Sequence, residues 1–513
     1  MPAPKNPLLP AVRWALAVLA GAVMVLSFAP FGWFPAALAS VTAFYLLLPR
    51  GRRGGFATGW FYGLGLLGFG VFWIRISLNE FGNMPAVAAN ALMLLLVAAL
   101  ALFYALAGWL VTRLRPGEDA PRWWVGPLLV LPGVWVLLEW VRSWLFTGFP
   151  WLFAGNGQIN PLPLLGAPLA GWAPVVGVHG LSLAVALSAG LVVVALRRGG
   201  GARPAALAGL LAIWLVGALL ARVEWTRPAD GPLSAAVLQG NVEQSLKWAP
   251  DGVLPTLEIY LDLTREVLAD SDVIVWPETA IPSFLHEVEA GLLPPLTADA
   301  VAAGAEIVIG VPIMEMAERY FNGLISVGSA ADRYYKRHLV PFGEFLPFDR
   351  QLRPLIDWFD VPMSSFSRGE AERPLLQVGP YRVGVSICYE DVFPEEVRQA
   401  LPEAAYLINV SNDAWFGDSL APHQHLEFAR LRALENGRPL VRATNTGISA
   451  IIDHRGRVTA SLPLFERGVL TGTIQPRTGR TPFAAVGSLP ALLLAAAMLV
   501  AALLLGRSRN TAA

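Results

Sequence analysis

Eight long apolar stretches dominate this chain, and a soluble segment at 228–481 interrupts them. The stretches run at about 14–29, 31–48, 56–74, 86–112, 124–144, 175–195, 204–220 and 489–505. A bilayer core about 30 Å thick takes about 20 apolar residues in a helix, and only a helix or a closed barrel satisfies its backbone groups without water. The expected fold therefore includes an α-helical transmembrane bundle of eight spans. The first stretch lacks a small-residue cleavage site and further spans follow it, so it reads as retained rather than as a signal peptide. Hydrophobic residues make up 55% of the 513 and charged residues 15%, with 38 basic side chains balancing 38 acidic ones. A neutral chain of this kind gives no electrostatic footprint for a nucleic-acid partner.

Loop charges orient the bundle. Arg50, Arg52 and Arg53 follow the second stretch, and Arg113, Arg115 and Arg122 lie between the fourth and fifth. Arg197, Arg198 and Arg203 separate the sixth from the seventh, and Arg507 and Arg509 follow the last. The alternate loops are poor in Lys and Arg, so the positive-inside rule places both termini in the cytoplasm. The segment between the last two spans then lies across the membrane, which in a bacterium is the periplasmic side of the inner membrane. The expected domains are 1–227 (seven spans), 228–481 (a soluble domain) and 482–513 (the last span and a cytoplasmic tail).

The segment 228–481 holds most of the acidic residues and five of the six histidines. Strand-like runs at 235–238, 273–276, 307–311, 383–387 and 406–410 alternate with helical patterns near 253–269, 297–304, 394–400 and 421–436. That alternation predicts a layered α/β domain, and strands apolar throughout predict sheets covered on both faces. No Walker or dinucleotide glycine fingerprint is present.

Three clusters in this domain carry candidate chemistry. Cys388 is the single cysteine, in Val385-Ser386-Ile387-Cys388-Tyr389-Glu390. It has no internal disulfide partner, and it follows a strand and opens a turn whose helix start favours a thiolate. Glu278, in Trp276-Pro277-Glu278, ends a strand beside apolar side chains that make a carboxylate more basic. Lys336, in Tyr334-Tyr335-Lys336-Arg337-His338-Leu339-Val340-Pro341-Phe342-Gly343-Glu344, is a cation placed to hold a thiolate and later an oxyanion. Singly, each also fits a structural role: a small buried hydrophobe, a solvated loop carboxylate, a strand-edge lysine. Together they supply the base, cation and nucleophile that thiol attack on a carbonyl needs.

In this order the Trp-Pro-Glu, Tyr-Lys-Arg-His-Leu-Val-Pro-Phe-Gly-Glu and Ile-Cys-Tyr-Glu blocks resemble the carbon–nitrogen hydrolase (nitrilase) superfamily. With the multi-span bundle, the set is similar to a membrane-bound acyltransferase branch of it. Gln239-Gly240-Asn241, Gln244-Ser245-Leu246-Lys247-Trp248, Ser411-Asn412-Asp413-Ala414-Trp415-Phe416-Gly417 and Arg442-Ala443-Thr444-Asn445-Thr446-Gly447 agree. The resemblance implies a nitrilase-like α-β-β-α sandwich with Glu278 as general base, Lys336 as oxyanion support and Cys388 as nucleophile. Glu344, Tyr389 and Glu390 are implied as supporting residues, and Trp248 as part of a substrate entrance. It further implies a ping-pong transfer of a fatty acyl chain from a phospholipid, through a Cys388 thioester, to the N-terminal amine of a diacylglyceryl-cysteine apolipoprotein, the last step of bacterial lipoprotein maturation. A membrane-tethered amidase hydrolysing a small amide is the alternative.

Acyl chains are costly to expose, at about 0.8 kcal/mol per CH₂, so a site at the bilayer surface suits such substrates. The stretch 341–367 mixes many apolar side chains with few charges; Phe342, Phe345, Trp358 and Met363 are its candidate lipid-entrance residues. No cofactor is called for. His423 and His425 form a His-x-His pair opening a helix, with no further ligand at metal spacing. Glu139 and Arg142, unusual inside the fifth stretch, read as a structural pair or a headgroup contact.

Overall fold

The computed structural model describes residues 9–51, 53–247, 251–315, 319–347, 349, 365–370 and 372–507. It divides into two compact units. One is Met1–Arg75, Ala86–Val223 and Ser488–Ala513; the other is Ile76–Pro85 and Glu224–Gly487.

The first unit is helical. Among the described residues four helices are long and apolar enough to cross a membrane: Ala86–Leu114, Ala170–Arg197, Ala202–Leu220 and Leu489–Gly506. A fifth is added if the pair Gly55–Gly70 and Ile74–Phe81, bent by 61°, counts as one span. The expected count of eight is thus reached only in part. Pro10–Val25 and Pro35–Leu47 are apolar but have 16 and 13 residues. The stretch 124–144 folds as a π-helical turn, Gly126–Val130, running into Leu131–Arg142. Its two charged side chains are both buried. Glu139 accepts hydrogen bonds from Trp135 Nε1 and the Ala154 amide, both at 2.9 Å, and the Arg142 guanidinium lies 4.8 Å from the Phe153 ring centre. Small residues let helices touch by their backbones. A Cβ on Gly59 would sit 2.0 Å from the Tyr104 carbonyl oxygen, so no larger residue fits between Gly55–Gly70 and Ala86–Leu114.

The arginine-rich loops of this unit converge. Glu118 pairs with Arg50 at 2.6 Å and Arg197 at 2.8 Å, and its carbonyl accepts from Arg198. Arg115 donates to the Leu48 and Pro49 carbonyls, and Arg122 to the Leu505 carbonyl at 2.9 Å. Four chain segments far apart in sequence therefore meet at one end of the bundle.

The second unit is a four-layer sandwich. One six-stranded sheet runs in the order Gly468–Ile474, Leu233–Gln239, Val273–Val275, Glu306–Glu315, Arg319–Val327, Arg333–Tyr335. The other runs Val458–Leu462, Ser449–Ile452, Leu440–Thr444, Leu407–Ser411, Tyr381–Ile387, Leu375–Val378. Strand residues alternate between faces. Ala235, Val237, Val275 and Val308 of the first sheet pack against Val383, Val385, Ile408 and Val441 of the second. The intervening residues Ala236, Leu238, Ile274 and Ile307 face outward under helices Val253–Val267 and Leu285–Ala303. On the far side, Leu407, Leu440 and Ile452 lie under helix Leu420–Asn436 through Ala429 and Ala433. Both faces of the central strands Val273–Val275, Leu407–Ser411 and Leu440–Thr444 are covered, which is why they are buried throughout, whereas edge strand Val458–Leu462 keeps a polar alternation.

Candidate active site

Three strand ends deliver the three candidate residues. Val273–Val275 runs parallel to both neighbours, and the chain leaves its C-terminal end through Trp276, which stacks on Tyr260 at 5.2 Å and donates to Thr264 Oγ1 at 3.0 Å. That anchor aims the next residues, Pro277 and Glu278. Lys336 follows Arg333–Tyr335 directly, and its amide donates to the Asn322 carbonyl at 2.8 Å. Tyr381–Ile387 runs parallel to Leu407–Ser411 and ends at Cys388, whose φ of +51° places a non-glycine residue in the left-handed region. Such a conformation persists where neighbours over-determine it, and it clusters at functional sites.

Glu390 supplies that over-determination. Its Oε2 accepts from the Ile387 amide at 2.8 Å. Its Oε1 accepts from the Arg337 amide at 2.6 Å, the His338 amide at 3.1 Å and Tyr334 Oη at 2.9 Å. One buried carboxylate thus ties the cysteine turn to the lysine segment; burial raises its pKa while the backbone donors pull the other way. Tyr389 packs edge-on against Phe393 at 5.1 Å and His338 at 5.8 Å.

Lys336 Nζ lies 2.8 Å from Glu344 Oε1 and 3.5 Å from Glu278 Oε1. Asn322 Nδ2 bridges the same two oxygens, at 2.7 Å to Glu278 and 3.0 Å to Glu344. The remaining oxygens are fixed by main chain: Asn412 N donates to Glu278 Oε2 and Val340 N to Glu344 Oε2, each at 2.8 Å. Two carboxylates are held on one ammonium in a buried pocket. Burial opposes the Lys336 charge, but Glu344, Glu278 and Cys388 outweigh it and lift its pKa above the ordinary lysine value. The lysine is a permanent cation here, not a base.

The thiol behaves differently from the sequence expectation. Its turn is the single five-residue 3₁₀ segment Cys388–Val392, too short to supply a helix dipole. Burial pushes the Cys388 thiol well up, Glu278 adds to the push, and Lys336 pulls it down. The resting group is a thiol, so attack by this sulfur would need a base to take its proton.

Of the other candidates, Phe342 is 53% exposed with φ +64° and closes a tight turn by donating its amide to the Phe345 carbonyl at 2.8 Å. Trp248, Trp358 and Met363 lie outside the described residues. Several site residues carried no assignment from sequence: Asn322 and Lys247 among them, with Asp391, Asp413, His425 and Arg442 packed behind the cysteine turn. Asn412 and Asp413 belong to the Ser-Asn-Asp block, and that block was the only signal for them. Lys247 is buried with Nζ 3.4 Å from the Glu278 carbonyl oxygen, and burial lowers its pKa to about 8. His454 faces Glu224 at 3.2 Å, and His425 faces two aspartates rather than a companion histidine.

Residues 234–483 match the carbon-nitrogen hydrolase family model. Residues 20–191 match the model of the apolipoprotein N-acyltransferase N-terminal domain. The Methylococcus capsulatus apolipoprotein N-acyltransferase is 44% identical over 93% of this chain and 93% of its own. Those of Pseudomonas aeruginosa PAO1 and Vibrio cholerae are 42% and 40% identical, covering 95% and 93% of this chain and 95% and 94% of theirs. The chain belongs to the apolipoprotein N-acyltransferase family. A solved amidase from Nesterenkonia sp. AN1 matches 51% of this chain and 95% of its own at 18% identity, with a TM-score of 0.36. Family membership makes the chain an acyltransferase, with a carbon–nitrogen hydrolase domain suited to an acyl-enzyme thioester, and it does not favour a tethered amidase.

Proposed function

We propose that this acyltransferase moves a fatty acyl chain from a phospholipid to the N-terminal amine of a diacylglyceryl-cysteine apolipoprotein, with Cys388 as the carrier. The observation that supports it most is the seating of Glu278 against Lys336 at 3.5 Å, beside a cysteine held in a left-handed turn, in a family member matched over nearly its full length. Glu278 accepts the Cys388 proton as Sγ attacks the donor ester carbonyl. Lys336 stabilises the oxyanion of the tetrahedral intermediate, where preorganised charge costs no reorganisation. The intermediate collapses by breaking the bond to the lysophospholipid oxygen, which takes the proton from Glu278. The acceptor amine, in its neutral form, then attacks the thioester carbonyl. Glu278 receives the amine proton, the C–S bond breaks, and the proton returns to sulfur. Glu344 and Asn322 hold Lys336 and Glu278 in register, and Glu390 and Tyr389 shape the cysteine turn.

Phe342 and Phe345 flank a lipid entrance, and the apolar helices keep the enzyme in the bilayer where both acylated substrates reside. The gathering of Arg50, Arg115, Arg122 and Arg197 at one end of the helical unit supports a cytoplasmic assignment for that end. On this reading the chain crosses the inner membrane eight times, with both termini in the cytoplasm and the segment after Ala202–Leu220 in the periplasm. Intact-mass analysis of the purified protein after exposure to phospholipid tests the carrier: one acyl mass on the wild type, absent in Cys388→Ala, and removed from the wild type by a diacylglyceryl peptide that gains it. A Cys388→Ala chain that still acylates the peptide refutes it.

A further inference from the structure

Behind the cysteine turn lies a second charged cluster that the mechanism above leaves unused. The His425 ring, on helix Leu420–Asn436, places Nδ1 at 2.8 Å from Asp413 Oδ1 and Nε2 at 3.1 Å from Asp391 Oδ1. Nε2 is also 3.3 Å from the Cys388 carbonyl oxygen. Arg442 Nη2 donates to Asp413 Oδ2 at 2.9 Å, and Nη1 lies 3.5 Å from Asp391 Oδ2. All four side chains are buried. A neutral imidazole has one N–H and one lone pair, so it can donate to only one of two carboxylates. Two acceptors facing both ring nitrogens require the doubly protonated ring. The charge count agrees: two aspartates against one guanidinium leave one buried negative charge, and the imidazolium cancels it. Arg432, on the same helix, faces the cluster too but is paired with Glu435 at 3.0 Å.

We propose that His425 is a positioning residue for Cys388: held as an imidazolium between Asp391 and Asp413, it fixes the nucleophile's turn through the Cys388 carbonyl and neutralises the carboxylates behind the thiol. Burial and Arg442 oppose its charge, yet the two aspartates raise its pKa to about 9. Asp413 is also among the groups that push the Cys388 thiol upward, so an uncompensated Asp413 suppresses the thiolate. The inference rests on Cys388 as the nucleophile, but its test reads the thiol itself and needs no acyl donor.

Cys388 is the single cysteine, so iodoacetamide uptake by the full-length protein in detergent reports on it alone. His425→Gln leaves one buried negative charge, which should slow alkylation at pH 8 by about tenfold and move the rate profile up by about one pH unit. The double variant Asp391→Asn/His425→Gln restores neutrality and should recover the wild-type rate to within about threefold, or half a pKa unit. A single variant with the wild-type profile, or a double variant no faster than the single, overturns the proposal. If the single variant does not fold, nitrogen chemical shifts of His425 in the ¹⁵N-histidine wild type decide: both ring nitrogens protonated at pH 7.5 is the expected result, and a neutral ring overturns it. Altered alkylation with normal thioester formation in wild type supports both readings; absent wild-type thioester condemns the carrier role, while the alkylation profiles still decide whether His425 sets the ionisation of the Cys388 thiol.

Discussion

Gly310→Ala tests how tightly the base is positioned. Gly310 lies in strand Glu306–Glu315, where the chain leaving the neighbouring strand passes over it. A Cβ there would meet the Pro277 carbonyl oxygen at 2.3 Å, Glu278 Cα at 2.8 Å and Thr279 N at 2.9 Å. Ordinary contact is about 3.5 Å, so the Glu278 backbone must retreat by about 1 Å. Overpacking of this kind costs about 1–3 kcal/mol of stability, which the thermal midpoint reads. The larger effect falls on chemistry: a misplacement of about 1 Å costs about 10²-fold in rate, equivalent to about 2.7 kcal/mol in the barrier. The assay is single-turnover acylation of Cys388 by phospholipid, followed by intact mass. Gly291→Ala is the control, on the exposed face of helix Leu285–Ala303 with nothing within 4 Å of its added methyl, and it should acylate at the wild-type rate. A Gly310→Ala enzyme that folds and acylates as fast as Gly291→Ala would refute the claim that Glu278 placement limits the reaction.

Further outcomes follow from the same geometry. Asn322→Ala removes the bridge between Glu278 and Glu344 and should slow acylation by about 10-fold; Asn322→Asp adds a third carboxylate around one lysine and should be slower still at pH 7, and the reverse order in single-turnover rates would contradict the bridging role. Glu390→Gln cannot accept on both sides, so its amide must face the Ile387 N–H or the Arg337 and His338 N–H groups, at a cost of about 1–3 kcal/mol. A thermal midpoint and an acylation rate both at wild-type level would remove Glu390 from its tethering role. Lys247 has a folded-state pKa of about 8 against an ordinary 10.5, so between those values the unfolded chain holds a proton that the folded chain lacks. Stability should therefore rise with pH across about 8–10.5, by at most about 3 kcal/mol, and Lys247→Met should lose that slope while gaining stability at pH 7. A pH-independent difference between wild type and variant would show that the lysine is not desolvated.

Much of the catalytic unit was legible from the chain because its signals are local. Val273–Val275, Tyr381–Ile387 and Leu407–Ser411 are short apolar runs ending at Trp-Pro-Glu, Ile-Cys-Tyr-Glu and Ser-Asn-Asp, and a strand end followed by reactive residues reads directly. Arg319–Val327, by contrast, opens Arg-Tyr-Phe-Asn and buries Asn322 at its centre; a polar residue inside a strand carries no mark of the two carboxylates it will meet. His425 was opaque for a related reason. The His423–His425 pair read as lacking any further ligand, but nothing local pointed to the partners His425 does have, Asp391 and Asp413 on other elements. In the helical unit, hydropathy located the apolar stretches but not their continuity. The run at 56–74 ends its helix at Gly70, and the run at 124–144 divides into the π-helical turn Gly126–Val130 and helix Leu131–Arg142, with Pro127 and Pro132 at their starts; a smoothed hydropathy pattern hides such breaks.

The proposed role of Cys388 asks a thiol with a raised pKa to act as a nucleophile, and the site's charge arrangement supplies the means. Glu278, Glu344 and Lys336 together carry one net negative charge in a buried pocket, which by itself disfavours ionising the neighbouring sulfur. Moving the proton from Cys388 to Glu278 leaves that total unchanged, because a thiolate appears as a carboxylate disappears. The lysine stays close to whichever partner holds the negative charge, so the transfer needs no charge from solvent and little reorganisation. Releasing the proton to bulk water instead would leave two negative charges on the pocket, a state the low dielectric makes expensive. Replacing Glu278 with Gln therefore does more than remove a base. It removes a negative charge that pushes the Cys388 thiol up and leaves Glu344 and Lys336 as a neutral pair, so iodoacetamide uptake should become faster at neutral pH while acylation by phospholipid fails for want of a proton donor to the departing lysolipid. Alkylation and acylation falling together in Glu278→Gln would show that the carboxylate acts only by shaping the pocket, and the proton relay would have to be abandoned.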